Sequence, residues 1–120
     1  MNTAAVSNAA SCIEACVQAA VACDRCANAC LHATDIAALR RCIVLSLDCA
    51  QLCKTAHSLL SHGSPFAGAV CEITASACEA CAAECEAQAS RQHHFTACAE
   101  ACRRAARECR AYAAARSGRP

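Results

Sequence analysis

The 120-residue sequence has no Trp, one Tyr, two Phe and one Met, and Val, Ile, Leu and Phe together number only 18. Its net charge is +1, with 11 basic and 10 acidic residues. A basic surface and aromatic side chains for base stacking are both missing, so we expect no nucleic-acid partner. The hydrophobic fraction of 57% comes mainly from Ala and Cys, and these small residues must therefore build the core.

Long apolar runs are also missing. No uninterrupted stretch approaches the roughly 18–20 apolar residues of a membrane span, so we expect no membrane partner. The first residues, Met1 to Val6, lack the basic and apolar regions of a secretory signal. We therefore expect a cytoplasmic protein. Thiols stay reduced in the cytosol, where many cysteines point to metal rather than to a disulfide scaffold.

Gly and Pro are scarce, whereas Ala, the strongest helix former, occurs throughout the chain. The sequence predicts four helices, at about 11–31, 36–61, 65–89 and from after His94 to about 115. Short connections between them favour an all-α fold, an antiparallel up-down four-helix bundle with a Cys-lined core. We expect this bundle to span residues 11–115, after an N-terminal segment (1–10) that can form a short helix and before a flexible tail (116–120).

Residue types at the predicted helix ends support these boundaries. Ser11 and Glu14 resemble a capping box at the start of the first helix, although the Ala-rich residues 3–10 allow an earlier start. Thr34-Asp35 supplies cap residues for the second helix. Gly63-Ser64-Pro65 separates the second helix from the third, with Gly past one helix end and Ser-Pro opening the next.

The 15 cysteines follow alternating steps of three and four residues along each predicted helix. They are Cys12, Cys16, Cys23, Cys26 and Cys30 in the first helix, Cys42, Cys49 and Cys53 in the second, Cys71, Cys78, Cys81 and Cys85 in the third, and Cys98, Cys102 and Cys109 in the fourth. Small residues fill the gaps in the repeat, namely Ala19, Ser46, Thr74 and Ala105. This spacing is typical of the inward-facing stripe of a bundle helix. Packing of a small hydrophobe explains one or two buried cysteines, but not the displacement of Leu, Ile and Val from nearly every stripe position.

Disulfide bonds are one alternative use of these cysteines. Residues four apart on a helix have Cβ atoms about 5–6 Å apart, whereas a disulfide needs about 3.5–4.5 Å. The C-x-x-x-C pairs therefore fit poorly as bridges within a helix, and fifteen thiols cannot all pair. Bridges between helices keep a disulfide-stapled structural or interaction bundle open as an alternative.

Metal binding explains the pattern better. Soft thiolates select Cu(I), Zn(II) or iron–sulfur clusters. Zinc prefers closed sets of four ligands, and the continuous stripe offers no separable set of four; the compact run of an iron–sulfur site is absent. Many Cu(I) ions would neutralise the thiolates at a near one-to-one ratio. We therefore predict multiple Cu(I) ions with all fifteen cysteines as ligands, and a general Zn/Cd thiolate buffer is the alternative.

An enzymatic function is not expected. The two C-x-x-C elements, Cys23 to Cys26 and Cys78 to Cys81, continue the stripe and lack the βαβ context of a thioredoxin-type site. No Ser/His/Asp or Cys/His catalytic set stands out.

With these repeated C-x-x-x-C and C-x-x-C elements on four helices, residues of about 11–115 resemble the bacterial cytosolic copper storage proteins. The resemblance implies a four-helix bundle whose inward cysteines hold many Cu(I) ions, and it implies a homotetramer. It also implies a store that protects against copper toxicity or supplies copper enzymes, with copper donor or acceptor proteins as partners.

The histidines cluster toward the two ends of the predicted bundle. An antiparallel arrangement gathers His32, Asp35, His93 and His94 at one end, where histidine near the bundle mouth of the resembled family supports a function in metal uptake. Simple solvation is the alternative for these loop residues. At the other end, His57 follows Cys53 by one turn and is a candidate extra ligand.

Larger apolar residues flank the cysteine stripe and predict a second contact face. They are Ile36, Ile43 and Leu47 on one flank of the second helix, Leu45, Leu52 and Leu59 on the other, and Ile13, Val17 and Val21 on the first helix. Self-association explains this breadth, and wide packing within one bundle is the alternative. We expect the charged residues of the third and fourth helices, such as Glu79, Glu86, Arg103 and Arg110, to lie on a solvated exterior.

Overall fold

The computed structural model describes residues 3–116, with side-chain surroundings from Asn8 onward. The chain forms four helices, α1 (Thr3–Leu31), α2 (Arg40–Ser61), α3 (Ala67–Ala87) and α4 (His93–Arg116), and a 3₁₀ turn at Ala37–Leu39. Each helix packs against two neighbours, in the order α1, α2, α3, α4 and back to α1. The bundle measures 51 × 23 × 18 Å. The prediction of an all-α four-helix bundle is confirmed.

The first helix starts earlier than its cap signal indicates. Because α1 begins at Thr3, Ser11 lies inside a continuous helix, and the capping-box interpretation of Ser11 is wrong. The Ala-rich residues 3–10 have enough helix propensity to extend α1 toward the N-terminus. Of the predicted flexible tail, Arg116 is the last residue of α4 and residues 117–120 lie outside the described part of the chain.

The α2–α3 turn has the predicted form. Gly63 adopts a φ of 67°, a left-handed conformation that favours glycine at a helix end. The Ser64 hydroxyl oxygen accepts a hydrogen bond from the Phe66 N–H at 3.1 Å, and the Ala67 N–H donates to the Ser64 carbonyl at 3.1 Å. These bonds close one turn before α3, which therefore starts at Ala67 rather than at Pro65.

Asp35 caps the 3₁₀ turn instead of α2. Its carboxylate accepts a hydrogen bond from the Ala38 N–H at 3.3 Å, and α2 follows directly from Arg40. The prediction that Thr34-Asp35 caps α2 is therefore wrong: Leu39 precedes α2 and makes no side-chain capping hydrogen bond.

Charged residues lie on the outside of the bundle, as predicted. Arg103 and Arg110 on α4 each form a two-pronged ion pair with α3, to Glu86 and Glu79, with N–O distances of 2.6–3.1 Å. Exposed pairs of this kind each contribute about 0–1 kcal/mol. They therefore align α3 with α4 more than they stabilise the fold.

The predicted second contact face is only partly exposed. Four of its residues are half-buried and pack on the core of this bundle, namely Ile13, Ile43, Leu45 and Leu59, and Leu52 is half-buried as well. Val17, Val21, Ile36 and Leu47 of the predicted face are 41–50% exposed, and so is Val44 on α2. An Asp24–Lys54 ion pair of 2.8 Å joins α1 and α2 beside these residues. Packing within one bundle therefore accounts for the half-buried residues, and self-association through the exposed ones stays a prediction.

Within residues 3–116, none of the helices combines the length and the apolarity that a membrane span requires.

Candidate metal centre

All fifteen cysteines line the interior of the bundle. Each thiol is free and only 0–1% exposed. The four gap residues of the stripe, Ala19, Ser46, Thr74 and Ala105, are completely buried as well. Four helices thus form a tube whose wall is largely sulfur, and the predicted inward stripe is confirmed.

The sulfur atoms gather in groups whose members all lie within 4.8 Å of one another. One group contains Cys23, Cys49, Cys81 and Cys102, and the others are Cys12/Cys16/Cys109, Cys26/Cys42/Cys85, Cys49/Cys53/Cys78 and Cys81/Cys85/Cys98. A metal–thiolate bond of about 2.3 Å places two sulfurs on opposite sides of an ion about 4.6 Å apart. Each group is therefore small enough to surround one ion.

One of these groups contains four sulfur atoms. Each helix contributes one member, so four ligands do meet at one level of the tube, although the set is not separable from its neighbours, as the sequence predicts. The set could not be seen in the sequence because its members come from four different helices. Cys49 and Cys81 also belong to neighbouring trios, so the set merges into a longer lining.

Thiol–thiol hydrogen bonds run through the lining. The shortest are Cys49–Cys78 at 3.2 Å and Cys23–Cys102 at 3.4 Å. The Ser46 hydroxyl lies 3.7 Å from the Cys81 sulfur, so it continues the polar lining at its gap position.

The tube environment shifts the pKa of the thiols. Burial, with the nearby Cys26, raises the pKa of Cys30 to about 11. The pKa of Cys71 rises to about 12, because its bond with Cys109 lowers the value less than its bond with Cys12 and burial raise it. Such thiols are protonated at neutral pH, which lets an uncharged interior persist without metal.

Three thiols have a lowered pKa because they accept hydrogen bonds from several neighbours. Cys42, followed by Cys85 and Cys98, lowers the pKa of Cys26. Neighbouring thiols lower the pKa of Cys53 and Cys81 in the same way, with Cys16 and Cys102 as the largest contributors. These three thiols lie at different levels of the tube and are the easiest to ionise.

One end of the tube opens into a cleft of about 300 Å³ between the α1–α2 connection and the start of α4. Cys30, His32, Asp35 and His94 line it, together with Arg91 and Gln92. The structure thus brings together three of the four residues predicted at this end. The fourth, His93, is exposed and does not line the cleft.

Two imidazoles of the cleft are placed to act as metal ligands. The His32 Nδ1 lies 2.9 Å from the Asn28 carbonyl and donates to it, which leaves a lone pair on Nε2. His94 packs on Phe95 with 4.0 Å between ring centroids and interacts with the Cys26 thiol. The His94 Nδ1 is buried without a hydrogen-bond partner in the described part of the chain, so this nitrogen is available to bind a ligand.

The cleft at the opposite end of the tube, beside Ser64 and Arg116, is lined by no cysteine. Leu60, Ala67 and Tyr112 are 0–6% exposed there, and the Arg116 guanidinium lies 5.8 Å from the Tyr112 ring centroid. His57 is half-buried near this end and belongs to none of the metal-sized groups found among the described residues.

We did not predict three residues that line the cleft at the open end, namely Phe95, Arg91 and Gln92. Phe95 is 1% exposed and continues the stripe of α4 by one step of three before Cys98, so the cysteine repeat itself could have identified it. Arg91 and Gln92 precede α4 and follow no repeat, so no sequence signal marks them.

Fold and lining together define a class of protein, the four-helix bundles with an interior of reduced thiols. The sequence profile of the family described as "Csp: Copper storage protein" matches residues 5–114. The chain therefore belongs to the copper storage protein family.

Individual relatives agree with this assignment. The chain is 39% identical over 65 residues to a cysteine-rich protein of Bacillus subtilis (strain 168), YhjQ, described as uncharacterized; the match spans 54% of this chain and 60% of that relative. It is similar in structure to the Cu(I)-bound copper storage protein BsCsp3, with a TM-score of 0.83 and 37% identity over 88% of this chain and 98% of that one. It is also similar to a cytosolic copper storage protein from Streptomyces lividans loaded with five coppers, with a TM-score of 0.90 and 35% identity over 94% and 98% of the two chains.

Proposed function

We propose that this protein stores Cu(I) in the cytoplasm and that its fifteen cysteines are the ligands. The observation that carries the proposal is the continuous lining of buried, reduced thiols in groups the size of a single ion. Its copper-loaded relatives support the choice of metal. The protein holds its ions rather than transforming a substrate, and the same store can limit copper toxicity or supply copper enzymes through donor and acceptor proteins.

Shared ligands favour Cu(I) over zinc. Cys49, Cys81 and Cys85 each belong to two sulfur groups, so neighbouring ions must share thiolates. Two or three sulfurs per monovalent ion allow such sharing and keep the tube close to neutral, whereas closed zinc sites need four ligands each. The set formed by Cys23, Cys49, Cys81 and Cys102 is the observation that favours the Zn/Cd alternative, and it accounts for one ion only.

A Cu(I) titration tests the storage function. We expect the reduced protein to bind many Cu(I) ions, approaching one per thiol, and to release protons as it does so, because thiols such as Cys30 and Cys71 have a raised pKa. Copper bound against a competing chelator and protons released are measured in the same anaerobic titration. Saturation at one or two ions would exclude storage, and retention of zinc against added Cu(I) would favour the general thiolate buffer.

We propose further that ions enter through the cleft at the open end. His32, Asp35 and His94 would receive Cu(I) and pass it to Cys30 and the thiols behind it. The support is the buried, unpartnered Nδ1 of His94 and its interaction with Cys26. His93 and His57, which are outside this arrangement, are weaker candidates for uptake and for extra ligation.

Replacement of His94 should slow copper uptake without reducing capacity. We expect His94→Ala to lower the initial rate of Cu(I) transfer from a chelator several-fold, because the first ligand next to Cys26 is lost, while the number of ions at saturation stays the same. Rapid-mixing absorbance of the copper–thiolate bands measures the rate. His62→Ala is the matched control, since His62 is exposed beyond α2; equal rates in the two variants would contradict the uptake function.

We propose that the protein self-associates, as a homotetramer, through the outer surface of α1 and α2. Val17, Val21, Val44 and Leu47 form two exposed stripes on this surface. Asp24 lies one turn beyond Val21, and its ion pair with Lys54 joins the two helices there. Coverage by a second copy would remove these apolar side chains from water, which is favourable by about 25 cal/mol per Å².

A further inference from the structure

One level of the tube has little sulfur. α1 and α4 are joined by thiol pairs at two levels, Cys16–Cys109 at 3.6 Å and Cys23–Cys102 at 3.4 Å. Between these levels, the two helices carry the gap residues Ala19 and Ala105. Two of the four walls therefore offer no ligand atom at this level.

The third wall offers no ligand there either. Thr74 on α3 is completely buried, but its hydroxyl donates to the Val70 carbonyl at 2.8 Å and lies 3.4 Å from the Leu52 carbonyl. The hydroxyl is therefore occupied by backbone oxygens. Ser46 differs, because its hydroxyl faces the Cys81 sulfur at 3.7 Å.

This gap separates a distal group of four thiols, defined as Cys12, Cys16, Cys71 and Cys109, from the main group formed by the other cysteines. Within the distal group, Cys109 is hydrogen-bonded to Cys12 at 3.7 Å and to Cys16 at 3.6 Å, and Cys71 interacts with Cys109 and Cys12. Beyond it, Leu60 and Tyr112 are buried.

Cys53 on α2 is the sulfur that spans the gap. It lies 3.6 Å from Cys78 of the main group, and the distal thiol Cys16 lowers its pKa more than any other neighbour does. The thiol–thiol hydrogen bonds of the described residues join members of the same group.

We propose that the distal group is a separate Cu(I) compartment that exchanges ions with the main group through Cys53, an inference that rests on the proposed function. The transfer is a ligand exchange at constant oxidation state. The copper–sulfur bond to Cys16 forms as the bond to Cys53 breaks, and the proton of the Cys16 thiol passes to the Cys53 thiolate. An ion moving to or from the open end must make this step, so the distal ions exchange last.

Copper release from the loaded full-length protein tests the compartment. Wild-type protein, saturated with Cu(I) and mixed with excess chelator, should release copper in two phases, and the slow phase should hold about a quarter of the ions, since four of the fifteen thiols are distal. Cys53→Ser should slow this phase at least about ten-fold. Cys42→Ser is the matched control, because it removes a main-group thiol from the same helix as Cys53 but leaves Cys16, Cys53 and Cys78 in place.

A second variant fills the gap. Ala19→Cys adds a sulfur between the two groups and should merge the two phases into one faster phase, and circular dichroism confirms that each variant is folded. A single phase in wild-type protein, two unchanged phases in Ala19→Cys, or equal slow rates in Cys53→Ser and Cys42→Ser would each overturn the compartment. Release in one phase at full capacity would leave storage intact, whereas saturation at one or two ions would exclude storage itself.

Discussion

Saturation with Cu(I) should raise the melting temperature of the protein by at least about 20 °C. An ion present at about 100 times its dissociation constant stabilises the folded state by about 2.7 kcal/mol. Several ions in one tube therefore exceed about 10 kcal/mol, and each kcal/mol shifts the melting temperature of a domain of this size by roughly 2–8 °C. Copper binding by thiols of the unfolded chain reduces the effect, which is why we expect the lower part of this range.

Circular dichroism melts of the reduced apo protein and of protein loaded stepwise with Cu(I) measure this effect. The melting temperature should rise progressively with the number of ions bound, because each ion links helices that only small side chains join in the apo form. A shift below about 5 °C at full loading would mean that the ions bind outside the core. Reduced apo protein in the same buffer, with the chelator but without copper, is the control.

The cysteine repeat predicted most of the residues that line the interior of the bundle. Alternating steps of three and four put each cysteine on the inward stripe of its own helix, and this periodicity depends only on local helix geometry. All fifteen predicted side chains are accordingly buried. The same local reasoning predicted the Gly63 turn, where a left-handed residue ends α2.

Contacts between helices could not be predicted in the same way. The set formed by Cys23, Cys49, Cys81 and Cys102 depends on the axial alignment of four helices, and the connecting segments fix that alignment. The sulfur-poor level at Ala19 and Ala105 is likewise visible only when α1 and α4 are placed side by side. The start of α1 was misplaced for another reason, since a Ser-x-x-Glu pattern inside an Ala-rich stretch does not stop a helix.

An interior of small residues has a consequence for stability. Ala and Cys bury little area each, so the apo protein depends on its few large buried side chains for a substantial part of its hydrophobic stabilisation. A raised pKa such as that of Cys30 keeps a thiol uncharged in the tube, whereas the lowered pKa of Cys26, Cys53 and Cys81 favours their thiolates. The apo bundle is thus folded by the same residues that later receive the metal.

Phe95→Ala should be the most damaging single substitution in the apo protein. Phe95 is 1% exposed and is the largest fully buried side chain of the described residues. Removal of a buried Phe side chain costs about 3–5 kcal/mol. Domains of this size have a total stability of about 5–15 kcal/mol. We therefore expect the free energy of unfolding, measured by urea denaturation of the reduced protein, to fall by a large fraction.

The other phenylalanine provides the matched control. Phe66 is 70% exposed between α2 and α3, so Phe66→Ala should change the free energy of unfolding by less than about 0.5 kcal/mol. Phe95→Leu, which retains most of the volume, should cost less than Phe95→Ala. Similar losses in Phe66→Ala and Phe95→Ala would contradict the structure of the open end. Because Cu(I) stabilises the folded state independently of Phe95, loading should restore a cooperative melt to Phe95→Ala, and this recovery separates loss of packing from loss of the metal-binding tube.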